Sequence, residues 1–204
     1  TALHNFCAVD LSSFYFDIRK DALYCDAPDS IRRRAARTVL DELFSCLTAW
    51  LAPIVCFTAE EAWLARNPGD GESVHLRTWP DVPDAWRDEA LAKKWAKIRN
   101  VRRVVTGALE KARASKEIGS SLEAAPLVFM DSRNTDLKND QSINWSEICI
   151  TSSFEVLDMS EAMKYPSLDI FSLVADVPGV SVSFRKASGR KCDRCWQVLP
   201  DIGV

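Results

Sequence analysis

Two cysteines near the carboxyl terminus carry the clearest chemical signal in this sequence. They lie in residues 191–196, Lys-Cys-Asp-Arg-Cys-Trp, and their C-x2-C spacing lets Cys192 and Cys195 occupy adjacent corners of a zinc tetrahedron. The basic neighbours favour thiolates over thiols. A structural zinc site takes four ligands, and a second cysteine pair usually follows after about 15–20 residues, whereas nine residues follow Cys195. We therefore expect half a zinc site, with its second pair beyond the chain end and no stably bound zinc.

Other residue types that perform catalysis are sparse or isolated. His4 and His75 are the two histidines, and neither stands in the setting of a catalytic triad or a metal site. Residues 58–61, Thr-Ala-Glu-Glu, have the form of a capping box in which Thr58 and Glu61 satisfy the first amides of a helix. No P-loop or dinucleotide-binding glycine pattern occurs, and no thioredoxin-like βαβ unit surrounds the C-x2-C pair. We therefore expect no catalytic residue in this chain.

Basic residues are segregated along the chain and are the second possible source of function. The net charge is −3, yet residues 31–49 carry +2, residues 93–116 carry +8 and residues 181–204 carry +3, with acidic stretches between them. If the basic stretches meet in space, they can follow a phosphate backbone by releasing its counterions. A run of charges is more often only a solvated helix face, so both interpretations stay open at this point.

Helices must position these groups in the first 116 residues. Apolar residues recur at helical spacing in four stretches, which lie at about 3–18, 36–51, 58–67 and 84–115. On the second helix, Arg34 and Arg37 lie beside the apolar stripe and are expected to meet solvent. Four helices of this kind favour an antiparallel bundle.

Beyond residue 119 the hydrophobic period changes and predicts a small α+β unit. Residues 126–130 suit a buried strand, residues 132–144 a loop or short helix, and residues 148–157 look extended. Residues 173–177 and 180–184 flank Pro178-Gly179 and predict a hairpin. The expected domains are a mainly α helical bundle at 1–118, an α+β unit at 119–186 and an incomplete zinc-binding tail at 187–204.

Composition limits the class of protein. The chain has 204 residues, of which 47% are apolar and 27% charged, so it can bury a real core. No apolar run reaches the roughly 18 residues that a membrane span needs. Seven cysteines without a secretory segment indicate reduced thiols in the cytoplasm. The first residue is Thr1 and the zinc motif is half complete, so we expect a piece of a longer protein.

Several motifs in collinear order resemble the anticodon-binding, C-terminal part of bacterial-type isoleucyl-tRNA synthetases, which belong to the class Ia aminoacyl-tRNA synthetases. The resemblance covers nearly the whole chain and is weakest from about 131 to 170. The motifs that carry it are residues 14–24, 51–63, 73–76 with 79–80, 118–124 and 191–196.

This resemblance implies a full-length enzyme that joins isoleucine to its tRNA with ATP and Mg, and that hydrolyses mischarged valine in an editing domain. The HIGH and KMSKS nucleotide-binding signatures of class I synthetases do not occur in this sequence. Activation, transfer and editing are therefore expected outside this chain, which would keep only recognition of the tRNA. Zinc is expected in the full-length enzyme, and the chain and the enzyme are expected to be monomeric.

Anticodon loops present splayed bases that stack on aromatic side chains or guanidinium planes. The candidate contacts to the anticodon stem-loop lie in the three basic stretches, and they are Arg33, Arg34, Arg37, Arg102, Arg103, Arg194 and Trp196. Two of them have a plainer alternative. Arg37 can pair with Asp41 one turn on, and Trp196 can pack as the small core of the cysteine knuckle, residues 191–196.

Two other functions compete with this interpretation. The valyl or leucyl members of class Ia would share the helical bundle, although the Cys-Asp-Arg-Cys-Trp tail favours the isoleucyl enzyme. A helical module that binds protein rather than RNA would belong to a different class altogether. The two classes differ in whether binding to tRNA depends on the anticodon and weakens steeply with salt.

Overall fold

The computed structural model describes residues 1–165, 170–171 and 176–202. Its contacts divide the chain into two compact units, one made of residues 20–88 and the other of residues 1–19 together with the described residues from 89 onward. The domain boundaries predicted at 118/119 and 186/187 group the chain differently and stay a prediction. The unit that contains residues 89 onward extends across the predicted boundary at 118/119, because the helix before residue 118 and the sheet after it share one apolar core.

The unit of residues 20–88 is built on two helices, α3 (Ile31–Leu51) and α4 (Cys56–Arg66), followed by a 3-10 turn at Val74–Leu76. Helix α3 begins five residues before the apolar stripe expected at 36–51, directly after Ser30, whose hydroxyl accepts a hydrogen bond from the Arg33 amide. A small cluster of Ala52, Ala59 and Val74 packs with Trp63 beneath the turn that joins α3 to α4.

The other unit begins with helix α1 (Ala2–Asn5) and a π-helical segment at Phe6–Phe16. The boundary at residues 19 and 20 falls inside the next helix, α2 (Asp17–Tyr24). Its longest element is α5 (Glu89–Ala114), whose residues from Ile98 to Ala112 are buried at steps of three and four. The predicted apolar stripe of this helix is therefore confirmed from Ile98 onward, whereas Leu91 is exposed.

Helix α5 packs on a four-stranded sheet with the order β2-β1-β4-β3. Strand β1 pairs in parallel with β2 and antiparallel with β4, which in turn pairs antiparallel with β3. The strands are β1 (Leu127–Met130), β2 (Glu155–Asp158), β3 (Ile170–Phe171) and β4 (Val180–Ser183). Two short helices, α6 (Thr135–Lys138) and α7 (Trp145–Cys149), lie between β1 and β2 in the chain. The tail adds a two-stranded sheet of β5 (Arg190–Lys191) and β6 (Val198–Leu199).

The predicted capping box at Thr58 is wrong. Helix α4 begins two residues earlier, at Cys56, with Val55 as an N-cap that makes no side-chain hydrogen bond. Thr58 therefore lies inside the first turn. Its neighbour Glu60 has a different role, because one of its carboxylate oxygens accepts from the Ser73 hydroxyl at 3.0 Å and from the Val74 amide at 2.8 Å.

The predictions for residues 148–184 are confirmed only in part. Residues 155–158 form a strand, but Ile148 and Cys149 end α7, whose Asn144 cap accepts from the Glu147 amide. Strand β4 confirms the second half of the predicted hairpin. Of its first half, residues 173–175 lie outside the described residues, and residues 176–177 form a turn and a bend.

The expectation of a mainly helical chain with a small sheet is confirmed, while the four-helix bundle and the zinc-ribbon tail stay predictions. Within the described ranges, no helix combines the length and the apolar character that crossing a bilayer requires.

Candidate nucleic-acid interface

The amino-terminal end of α3 displays two arginines to solvent. Arg34 and Arg37 are exposed, as expected, and within the described part of the chain neither makes an ion pair or a side-chain hydrogen bond. The alternative pairing of Arg37 with Asp41 is not formed, because Asp41 pairs with Arg66 of α4. Two guanidinium groups three residues apart on one helix are therefore available to an anion.

The Arg33 side chain hydrogen-bonds to the turn that precedes α3. It is half-buried and donates from Nη1 to the Asp26 carbonyl at 2.8 Å. The neighbouring Arg32 donates to both oxygens of the Asp26 carboxylate, from Nε at 2.8 Å and from Nη2 at 2.5 Å. These hydrogen bonds lower the pKa of Asp26. Arg33 thus stabilises the start of the helix, and its guanidinium is less accessible to a ligand than those of Arg34 and Arg37.

A groove of about 330 Å³ lies in the other unit, between the segment Phe6–Phe16 and α5. The Phe14 ring forms part of its wall, with the Arg99 and Arg102 guanidinium carbons 4.8 and 5.3 Å from the ring centroid. Arg103 and the amide of Asn100 also line the groove. An aromatic face, three guanidinium groups and an amide are the side-chain types that hold a nucleotide through its base and phosphate.

Arg102 and Arg103 are neighbours in sequence but differ in exposure and in hydrogen-bond partner. Arg102 has a side chain only 21% exposed, and it donates from Nε to the Ile148 carbonyl at 2.8 Å, which ties α5 to the end of α7. Arg103 is more exposed and donates to the Asp176 carboxylate at 2.7 Å. An ion pair between exposed groups contributes about 0–1 kcal/mol, so a phosphate can compete for Arg103 more readily than for Arg102.

Much of the charge of +8 in residues 93–116 is compensated in space. Carboxylates from the acidic stretch that follows approach the helix, and Asp10 approaches from the opposite wall of the groove. The pairs are Lys94–Asp140, Lys97–Asp136, Arg99–Asp10 and Arg103–Asp176. Hydrogen bonds from Lys94 and from the hydroxyl and amide of Ser142 lower the pKa of Asp140 from 3.8 to about 2. The charge that this stretch presents to a ligand is therefore smaller than +8, and two of the paired residues, Arg99 and Arg103, line the groove.

The loop of the cysteine knuckle, which joins two short strands, is closed by backbone hydrogen bonds. The Cys192 amide donates to the Gln197 carbonyl at 2.8 Å, and the Trp196 amide donates to the Cys192 carbonyl at 2.9 Å. The amides of Cys195 and Arg194 hydrogen-bond to the Cys192 sulfur and lower the pKa of this thiol. These hydrogen bonds thus favour the thiolate form of Cys192, which is the form that binds metal.

Trp196 is turned outward rather than packed as a core of the knuckle. Its side chain is 59% exposed, its backbone adopts a left-handed conformation with φ of 64°, and the Lys191 ammonium lies 5.5 Å from the ring centroid. Arg194 is also exposed in this loop. The knuckle therefore presents at the surface an aromatic ring with the Lys191 cation over it, and an exposed arginine two residues before the ring.

The donors present fit one half of a structural zinc site. Cys192 and Cys195 supply two thiols, and among the described residues no group of three or more metal-binding side chains occurs. The other five cysteines are all free, and Cys149 is so deeply buried that its pKa rises to about 12. A complete tetrahedron needs two further ligands from elsewhere.

The predicted residues fall into three groups according to the element that each group shares. Arg33, Arg34 and Arg37 share the start of α3, Arg102 and Arg103 share the groove, and Arg194 and Trp196 share the knuckle. Sequence reasoning missed Phe14, Arg99 and Asn100 as groove residues. The spacing of Arg99, Arg102 and Arg103 at i, i+3 and i+4 was the available signal, because such residues lie on one helix face.

Residues 1–128 match a family model described as the anticodon-binding domain of tRNA ligase. The whole chain is also similar to curated proteins named isoleucine–tRNA ligase. It is 50% identical over 203 residues to the one from Brucella abortus biovar 1, which covers 100% of this chain and 20% of that relative. It is 52% identical over 204 residues to the one from Agrobacterium fabrum, covering 99% of this chain and 20% of the relative. The chain thus spans about a fifth of the length of these relatives.

Proposed function

Since this chain belongs to the family of anticodon-binding domains of tRNA ligases, we propose that it recognises the anticodon stem-loop of isoleucine tRNA as part of an isoleucine–tRNA ligase. The observation that carries the choice of isoleucine is the identity of about 50% along the entire chain with proteins of that name. The resemblance read from the sequence motifs supports the same choice over the valyl and leucyl enzymes.

The role of this chain is binding rather than chemistry. ATP and Mg would act in a catalytic domain elsewhere in the full-length enzyme, which would attach isoleucine to the tRNA and edit mischarged valine. In support, the nucleotide-binding signatures of class I synthetases do not occur in this sequence. The partners are isoleucine tRNA and the catalytic body of the enzyme, in a monomer that works in the cytoplasm.

The RNA contacts fall into direct and indirect groups. Arg34 and Arg37 contact phosphates of the stem-loop, because their guanidinium groups are exposed and have no partner in the described chain. Arg103 exchanges its exposed carboxylate partner for a phosphate. Arg33 and Arg102 act by holding the α3 turn and the groove wall in place. Trp196 and Arg194 offer a stacking ring and a cation from the knuckle.

Zinc, where present, would be a structural crosslink that fixes the knuckle. Cys192 and Cys195 supply two of its ligands, and the remaining pair comes from residues outside those described. We accordingly expect less than stoichiometric zinc in the purified 204-residue chain, measured by atomic emission. One zinc per chain would contradict this and would identify another cysteine or a second chain as donor.

A binding titration tests the proposal. The chain is titrated with isoleucine tRNA, with valine and leucine tRNAs, and with isoleucine tRNA that carries exchanged anticodon bases, each at several salt concentrations. We expect the tightest binding to unaltered isoleucine tRNA and a steep loss with salt. Equal affinity for all four RNAs would contradict anticodon recognition, and absence of RNA binding by both the chain and the full-length enzyme would favour a protein-binding module.

A further inference from the structure

The turn between α3 and α4 exposes a continuous apolar surface. Residues 53–58, Pro-Ile-Val-Cys-Phe-Thr, are all exposed, and we call them the apolar corner. Phe57 is 91% exposed and Ile54 is 74% exposed, so the two largest side chains of the corner point into solvent. Single exposed apolar residues are normal on a protein surface, but an adjoining set of them marks an interaction site.

The corner holds this arrangement through its backbone. The amides of Ile54 and Val55 both donate to the Leu51 carbonyl, at 2.9 and 2.8 Å, and the Ala59 amide donates to the Val55 carbonyl at 2.9 Å. The inward-facing side chains on either side of the corner are the small ones of Ala52 and Ala59, which pack against Val74 and Trp63. Large residues therefore face outward on a hydrogen-bonded turn, the reverse of the arrangement that maximises burial within this unit.

Charge favours a protein surface over RNA as the occupant of the corner. Residues 38–65 contain no lysine or arginine, and the exposed charged residue closest to the corner in the sequence is Glu61. A phosphate backbone would gain no counterion release at such a surface. Arg37 and Leu51 are fourteen residues apart on α3, which corresponds to roughly 21 Å along the helix axis. The displayed arginines and the corner therefore occupy opposite ends of one helix.

We propose that the apolar corner docks onto an apolar surface of another domain of the same full-length ligase. This inference rests on the proposed function, since it requires the chain to be part of that longer polypeptide. The relatives support it because this chain spans only 20% of their length, which leaves about four fifths of the polypeptide as the covering partner. In this arrangement the carboxyl end of α3 contacts the other domain, and its amino end, with Arg34 and Arg37, contacts the tRNA.

Cys56 provides a direct probe, because its thiol is exposed and lies within the corner. The rate of its reaction with a maleimide is measured by peptide mass spectrometry in the 204-residue chain and in the full-length ligase, both without tRNA. Docking is expected to slow this reaction at least about tenfold in the full-length protein, because reactivity requires access to the thiol. The matched control is a cysteine at the exposed Ala35 of α3, in a Cys56→Ser background, whose rate is expected to be equal in both proteins.

A second variant separates docking from other causes of protection. Phe57→Ser in the full-length ligase is expected to restore most of the Cys56 rate, while the melting temperature of the 204-residue chain stays unchanged because Phe57 buries almost nothing there. Unprotected Cys56 in the full-length ligase would overturn the proposal. Protection that grows with the concentration of the isolated chain would assign the corner to a second copy, and protection that appears on adding tRNA would assign it to RNA, so either result would also overturn it.

Failure here is distinguishable from failure of the proposed function. If the full-length ligase leaves Cys56 reactive while the chain still binds isoleucine tRNA through its anticodon, only the docking surface is wrong. If tRNA binding is absent while Cys56 is protected, recognition of the anticodon is wrong and the corner is still an interface between domains.

Discussion

Replacing Arg34 and Arg37 together by alanine removes the two guanidinium groups that the start of α3 displays without a partner among the described residues. Each phosphate contact contributes about 0.7–0.9 to the slope of log K against log salt. At about 0.1 M salt this corresponds to a five- to eightfold change in affinity for one contact. The double variant should therefore bind isoleucine tRNA about 25- to 60-fold more weakly, or about 2–2.5 kcal/mol.

The assay is a salt series of binding isotherms, which reports both affinity and slope. The slope should become shallower by about 1.4–1.8 in the double variant, and each single variant should show about half of this change. A matched control removes Arg66 and Lys164, which also lowers the net charge by two. Each of these cations is paired with a carboxylate within its own unit, so we expect less than about a twofold loss.

Two results would refute this reasoning. If the double variant binds within about twofold of the unaltered chain and keeps its salt slope, Arg34 and Arg37 make no phosphate contact. If the control loses as much affinity as the double variant, net charge rather than position explains the effect. In either case the exposed end of α3 would have to be removed from the candidate interface.

Three predictions concern stability. Glu60→Ala should lower the free energy of unfolding by about 1–3 kcal/mol, because the Ser73 hydroxyl and the Val74 amide lose their common acceptor. A urea titration measures this, and the control Glu61→Ala should change the free energy by less than about 0.5 kcal/mol. Arg102→Ala should cost about 1.5–3 kcal/mol in the same titration, since the carbonyl at the end of α7 loses a charged donor, and an unchanged midpoint would contradict this. Because the folded pKa of Asp140 is about 2 instead of 3.8, its contribution is present above pH 3.8 and is lost as the pH falls through 2. Asp140→Asn or Lys94→Met should therefore flatten melting temperature against pH in this window, and an unaltered profile would show that the pair is not formed.

Local patterns in the sequence predicted the long elements of the fold. The steps of three and four from Ile98 onward predicted α5, and the apolar run at 126–130 predicted β1, because a buried face imposes its own period on the sequence. The start of α3 was predictable from the serine that caps it. The start of α4 was not, because Val55 precedes it without a side-chain cap while Thr58 inside the helix mimics one.

The candidate site was predictable in its residue types but not in their roles. Counting charges gave +8 for residues 93–116, yet the structure pairs Lys94, Lys97 and Arg103 with carboxylates far along the chain. Arg102 and Arg103 look equivalent in sequence and differ because only Arg102 reaches a backbone carbonyl of α7. Such distinctions depend on tertiary neighbours, which neither periodicity nor composition contains.

A footprint of isoleucine tRNA tests the central claim most directly. The RNA is cleaved by hydroxyl radicals with and without the 204-residue chain, and protection is mapped nucleotide by nucleotide. We expect protection confined to the anticodon stem-loop, which should weaken in the Arg34→Ala/Arg37→Ala variant. Protection of the acceptor stem instead, or an anticodon stem-loop that is cleaved equally with and without the chain at saturating concentration, would contradict anticodon recognition.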